Sequence, residues 1–81
     1  MAPFGGTLWS KDFSEEAFLK VKIGMSSIEV IKLLGNPVHK DSDFFWKYTI
    51  GDTGSADFDQ RWVVFNKQGK VSEVRKSFFV D

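Results

Sequence analysis

Cysteine is absent from the 81 residues. No disulfide can staple the fold, no thiolate can bind metal or act as a nucleophile, and the chain as given offers no cysteine for a lipid anchor. Histidine occurs once, as His39. A zinc site needs further ligands and a catalytic histidine needs a nucleophile or an orienting acid, so His39 is expected to be a surface residue of a connector. Net charge is also missing, with 11 Lys and Arg against 11 Asp and Glu. Dedicated nucleic-acid binders carry a marked basic excess, so nucleic acid is not the expected partner. No apolar run approaches the ~18–20 residues of a membrane-spanning helix. Met1-Ala2-Pro3 has neither the basic nor the apolar region of a signal peptide, so the chain is expected to be cytoplasmic unless a targeting segment precedes it.

The chemistry-bearing motifs are equally sparse. Gly24 and Gly35 do not form a phosphate-binding loop, because the G-x-x-x-x-G-K-[ST] pattern is absent. Ser26, Ser27 and Glu29 have no base placed for nucleophilic catalysis, and helix capping accounts for Ser26 and Glu29. Asp52, Asp57 and Asp59 do not follow the EF-hand spacing and read as a solvated acidic loop. The expectation is therefore a protein with no catalytic residues, no cofactor and no metal.

Aromatics are what the chain does have: nine Phe and three Trp in 81 residues. A domain this short buries only about 60–65% of its unfolded surface, and large rings are an efficient way to build so small a core. The stretch Lys22 to Pro37 shows where that core is organised. Ser26 is a candidate N-cap, Glu29 three residues on completes a capping box, and Met25 and Val30 have the spacing of a hydrophobic staple. Gly35 offers a left-handed stop, and Pro37 prevents continuation. Ile28, Val30, Ile31, Leu33 and Leu34 make a broad apolar face on a helix too short to stand alone.

In chain order, residues 1–9 read as a flexible or docking segment with Phe4, Leu8 and Trp9, ahead of a single domain over 10–81. A first helix is predicted within Ser10–Lys22, capped by Ser14, with Glu15 and Glu16 in its first turn and Phe13, Ala17, Phe18 and Val21 as its stripe. Val38–Ser42 reads as a connector. Asp43–Ile50 reads as a strand with Phe44, Trp46, Tyr48 and Ile50 on the core face. Residues 51–60 read as a loop. Arg61–Asn66 reads as a central strand, because Trp62 and Val64 on one face and Val63 and Phe65 on the other are all apolar. Lys67-Gln68-Gly69 is a hairpin turn with Gly69 left-handed, and Val71–Val80 is the last strand. The predicted fold is α+β: two short N-terminal helices packed on a three-stranded antiparallel meander, ααβββ.

Gly24-Met25-Ser26, Glu29-Val30, Leu34-Gly35 and Pro37 resemble the GMT-x-x-EV-x-x-LG-x-P signature of the BamE (SmpA/OmlA) family, with Ser26 where Thr is commoner. Phe65, Gly69-Lys70 and Val71 are similar to its F-x-x-x-GKV hairpin. The resemblance implies an ααβββ domain. It also implies a non-enzymatic protein-binding accessory role in outer-membrane assembly or envelope integrity, on the periplasmic side of the outer membrane.

Two contact surfaces are expected. If Val63 and Phe65 face the helices, then Trp62 and Val64 face away beside Phe45, in an apolar patch that soluble monomers rarely leave uncovered. The N-terminal segment, a second copy or another protein can cover it. The alternative is a small inhibitor or immunity-like protein, similar in its unit to the tandem ααβββ β-lactamase inhibitor proteins. It would present Asp52, Asp57, Phe58 and Asp59 to a basic cleft.

Overall fold

The computed structural model describes residues 6–51 and 58–79, the last two by backbone alone. The elements run β1 (Thr7–Trp9), α1 (Glu15–Phe18), α2 (Ser27–Leu34), β2 (His39–Ser42), β3 (Phe45–Lys47), β4 (Thr49–Gly51), β5 (Phe58–Phe65) and β6 (Val71–Phe79). The class is α+β, and every strand pairing is antiparallel. β2-β3-β5-β6 form one sheet, while β1 and β4 form a separate pair.

α2 follows its sequence signals closely. The Ser26 hydroxyl accepts from the Glu29 N–H at 3.2 Å, and the Glu29 carboxylate accepts from the Ser26 N–H at 3.0 Å, which closes the capping box. Val30 and Leu34, one turn apart, are fully buried, and Ile31 and Leu33 flank them. Ile28 departs from the predicted apolar face. It lies on the side of the helix away from Val30 and is exposed. Gly35 does stop the helix, but at φ 75°, ψ −161° rather than in the left-handed helical region. That combination is essentially confined to glycine.

α1 is shorter than the stripe suggests. Ser14 caps it as expected, accepting from the Ala17 N–H. Upstream, Ser10 donates its N–H to the Tyr48 carbonyl and accepts from Phe13, which holds residues 10–13 out of helical geometry. Downstream, Lys20 and Val21 donate to Ala17 and Phe18, three residues back, and this tighter turn carries Val21 into the core.

The β region departs from a plain meander at three places. The connector around 38–42 becomes strand β2, pairing with β3 and bulged between Lys40 and Ser42. The predicted strand 43–50 breaks at Tyr48. Residues 45–47 pair with β5, whereas Thr49–Gly51 pair with β1. As a result Trp46 and Tyr48 are buried as expected, Ile50 is half-buried, and Phe44 is exposed in the β2–β3 turn. The stretch 51–60 is not one loop, since Gly51 belongs to β4 and Phe58–Gln60 to β5. Asp52 and Asp57 lie outside the described residues.

The core is a single cluster of Phe18, Val21, Val30, Leu34, Trp46, Tyr48, Val63, Phe65 and Val71, so both helices pack on one sheet face. At the start of α2 the backbone also joins the sheet. Gly24 N–H donates to Val71, Val71 N–H to Met25, and Ser27 N–H to Gly69. The irregularity beside the Gly69 turn sits between Val64 and Phe65 in the β5–β6 register, where Ser72 is the extra residue and its hydroxyl donates to the Val64 carbonyl.

Candidate functional site

With Val63 and Phe65 buried beneath the helices, alternation turns Trp62 and Val64 to the opposite face. β3 brings Phe45 across from Val64 and Lys47 across from Trp62. β6 brings Arg75 across from Trp62 and Glu73 across from Val64. Phe45, Trp62 and Val64 thus meet, as the strand periodicity predicts. Phe45 and Trp62 contact edge to face with centroids 5.5 Å apart. Phe58 adds a tilted contact to Trp62 at 6.3 Å. The Trp62 indole is pinned by an N–H donated to the Thr49 carbonyl at 2.9 Å, so its ring is held in one orientation before any partner arrives.

The patch is half-buried, and its described cover comes from cations rather than from residues 7–9; Phe4 lies outside the described residues. The Lys47 ammonium lies 4.6 Å from the Trp62 ring centroid and 5.8 Å from that of Phe45. The Arg75 guanidinium lies 5.3 Å from Phe45. Each cation is held by an acid: Lys47 by Asp41 at 3.1 Å, and Arg75 by Glu73 in a two-pronged contact at 2.7 and 3.3 Å. Arg75 holds the Glu73 carboxyl below the usual carboxylate range, and Glu73 in turn raises the Arg75 guanidinium. Sequence reading named the three apolar residues but not these two ion pairs. Lys47 is legible two residues after Phe45 on the same strand face, but Arg75 and Glu73 require the β5–β6 register.

Residues 7–9 lie elsewhere. β1 lines the β4 edge, and the Thr7 hydroxyl accepts from the Asp59 N–H at 2.7 Å. Trp9 stacks near Phe13 at 4.9 Å and 5.9 Å from the Arg61 guanidinium, on the helix side of the sheet. Arg61 is itself only 12% exposed. It donates to Glu15 at 2.8 Å and to the Gln60 carbonyl, and Lys76 reaches the other Glu15 oxygen at 3.3 Å. Arg61 foremost, with Lys76, holds the Glu15 carboxyl below its ordinary value.

His39 is in β2, not in a connector. Its Nε2 lies 3.0 Å from Asp41, which also holds Lys47, so exposed His39 and Asp41 and half-buried Lys47 form a cluster at the rim of the aromatic patch. The polar partner of the His39 side chain among the described residues is Asp41, a carboxylate, and no hydroxyl is hydrogen-bonded to it there. Nor, among the described residues, do three His, Cys, Asp or Glu side chains gather in a way that could hold a metal ion. No helix among the described residues is long and apolar enough to cross a membrane. Of the alternative acidic contact set, Phe58 and Asp59 are built into β5. Asp59 is engaged by Thr7 at the β1 junction.

No protein-family model, no curated protein and no solved structure matches this chain.

Proposed function

We propose that the chain is a non-enzymatic protein-binding module and that the outer sheet face of Phe45, Trp62 and Val64 is its partner surface. The observation that carries this reading is the preordering of the patch. A Trp and a Phe are packed on one another, and the indole is hydrogen-bonded to the backbone. Arg75 and Lys47 are held beside the rings by acids. Aromatic and Arg side chains are the common anchors of protein interfaces, and anchors already fixed in the free protein lose little freedom on binding.

The role proposed is that of a BamE-like accessory protein of outer-membrane assembly or envelope integrity, on the periplasmic side of the outer membrane. Two observations support it. The two motif halves of the resemblance meet, with Gly24 to Ser27 bonded backbone to backbone with Gly69 and Val71. Two helices precede the antiparallel β2-β3-β5-β6 sheet and pack on one of its faces, an α+β arrangement compatible with that family's plan. The inhibitor-like reading draws no support from Phe58 and Asp59. Phe58 packs on Trp62 and Asp59 is tied to Thr7, so neither belongs to a projecting loop.

The test is site-specific photo-crosslinking in cells, with a benzoylphenylalanine at Phe45 or Trp62 and a control at Gln68. The expected result is a discrete adduct with another protein from both face positions and none from the control. An adduct of two copies of this chain would assign the face to self-association instead, and no adduct from either face position would refute the partner surface.

A further inference from the structure

The corner between α1 and α2 has no part in the outer sheet face. Leu19, Ile23 and Ile28 are 60%, 74% and 67% exposed, more than any other large apolar side chain among the described residues. They fall within one short stretch of chain, and its backbone is tied to the β5–β6 turn through Gly24, Ser27, Gly69 and Val71. That tie brings the β5–β6 turn, which carries Lys67 and Lys70, against the stretch of chain that carries Lys20, Lys22 and Lys32, and all five lysines are exposed.

The charge state of these lysines separates them from the cations of the sheet. Lys47, Arg61, Arg75 and Lys76 are each ion-paired with Asp41, Glu15, Glu73 and Glu15 respectively. None of the five corner lysines is in an ion pair among the described residues. The only acid within residues 19–32 is Glu29, and its carboxylate is turned onto the Ser26 N–H and hydroxyl. The corner therefore combines exposed aliphatic side chains with an excess of positive charge, five lysines against the single carboxylate of Glu29, which also feels Lys70 and Lys32.

We infer that this corner is a second interaction surface, whose occupant is an acidic amphipathic segment of another protein, with apolar side chains interleaved with carboxylates. A second copy of this chain does not fit across a two-fold axis, because the same lysines would face one another. A bilayer fits less well than a protein segment. The corner carries no Trp or Tyr to sit at headgroup level, and α2 spends its Val30–Leu34 stripe on the sheet, leaving no long apolar face to lie in a membrane surface. Carboxylates on the incoming segment would meet the lysines, and its apolar residues would cover Leu19, Ile23 and Ile28.

The full chain is titrated, by fluorescence anisotropy, with a labelled synthetic peptide of Leu and Glu at helical spacing and with its counterpart carrying Lys for every Glu. The Leu/Glu peptide binds and its counterpart does not, and added salt weakens binding. Ile23→Ser, and Lys22→Glu combined with Lys70→Glu, each lower the affinity about tenfold. Trp62→Ser leaves it unchanged, which keeps this surface separable from the outer sheet face. All variants retain the wild-type far-UV spectrum. Equal binding of the two peptides, binding of neither, or binding unmoved by the corner variants overturns the inference. Association with vesicles of equal parts phosphatidylcholine and phosphatidylserine, lost in Ile23→Ser while the peptide fails to bind, assigns the corner to a bilayer and overturns it equally.

Discussion

Gly35 shows how much one residue can be asked to do. Its φ of 75° with ψ of −161° excludes a side chain on conformational grounds. A Cβ built there would stand 3.0 Å from Asp12 Cβ and 3.1 Å from Asp12 Oδ2. The first of these atoms sits next to the backbone and cannot swing away. The carbonyl of the same residue accepts a 2.7 Å hydrogen bond from the Tyr48 hydroxyl, so any shift of Gly35 is felt in the core. Gly69 has the same φ of 75° but open space around its Cβ position. Gly35→Ala is therefore expected to cost about 2 kcal/mol or more, roughly 8–16 °C in Tm for a domain of this size, and Gly69→Ala about half as much. Thermal unfolding followed by circular dichroism measures both. Equal losses at the two positions would contradict the crowding by Asp12. A glycine before Pro37 at a helix end is legible in sequence. The crowding is not, because it depends on a residue 23 positions earlier being brought alongside.

At the scale of elements, a four-residue α1 cannot persist on its own hydrogen bonds. It is held through Phe18 in the core and through Glu15, whose carboxylate bridges Arg61 of β5 and Lys76 of β6. Because the folded-state value of Glu15 is lowered, its contribution is complete above the ordinary glutamate range, about 4.3, and is lost as pH falls through the lowered value. Wild type is expected to exceed Glu15→Gln in Tm near neutral pH, with the gap closing progressively below about pH 4. The effect is modest, since Glu15 is substantially solvated. A gap that stays constant down to pH 2, or widens, would mean that the ion pairs do not hold α1. The first-turn position of Glu15 was readable as favourable to the helix dipole. Its role as a clamp depended on β5 and β6 registering Arg61 opposite Lys76.

For the whole molecule, the chain's single tyrosine reports on global integrity. Tyr48 is fully buried, and desolvation pushes its phenol well above the usual value. A raised value means stability is undiminished below the unfolded pKa of about 10 and declines as pH rises beyond it. Tyrosinate absorbance at 295 nm is expected to stay absent up to about pH 11, then to appear together with the loss of near-UV circular dichroism. A tyrosinate step near pH 10 with the fold intact would show that Tyr48 is accessible to solvent.

What the sequence determined alone was local. The capping box at Ser26 and Glu29, the stop at Gly35, the Ser14 cap, the turn at Gly69 and the two faces of β5 each depend on a handful of neighbouring residues and on the 3.6- or 2-residue periods. The tertiary structure decided what those periods cannot encode. It kept residues 10–13 out of α1 because Ser10 bonds to Tyr48, and it broke the predicted 43–50 strand at Tyr48 so that Thr49–Gly51 could receive β1. It also recruited residues 39–42, polar and exposed, into an edge strand against β3. In the first two cases the deciding partner is distant in sequence and in the third it is the neighbouring strand, but in all three it is a backbone group, and backbone hydrogen bonds leave no mark on the side-chain pattern. The outer face divides in the same way. Alternation placed Trp62 with Val64 and Phe45 with Lys47 on their strand faces, whereas strand register brought the two pairs together and set Arg75 beside the Phe45 ring.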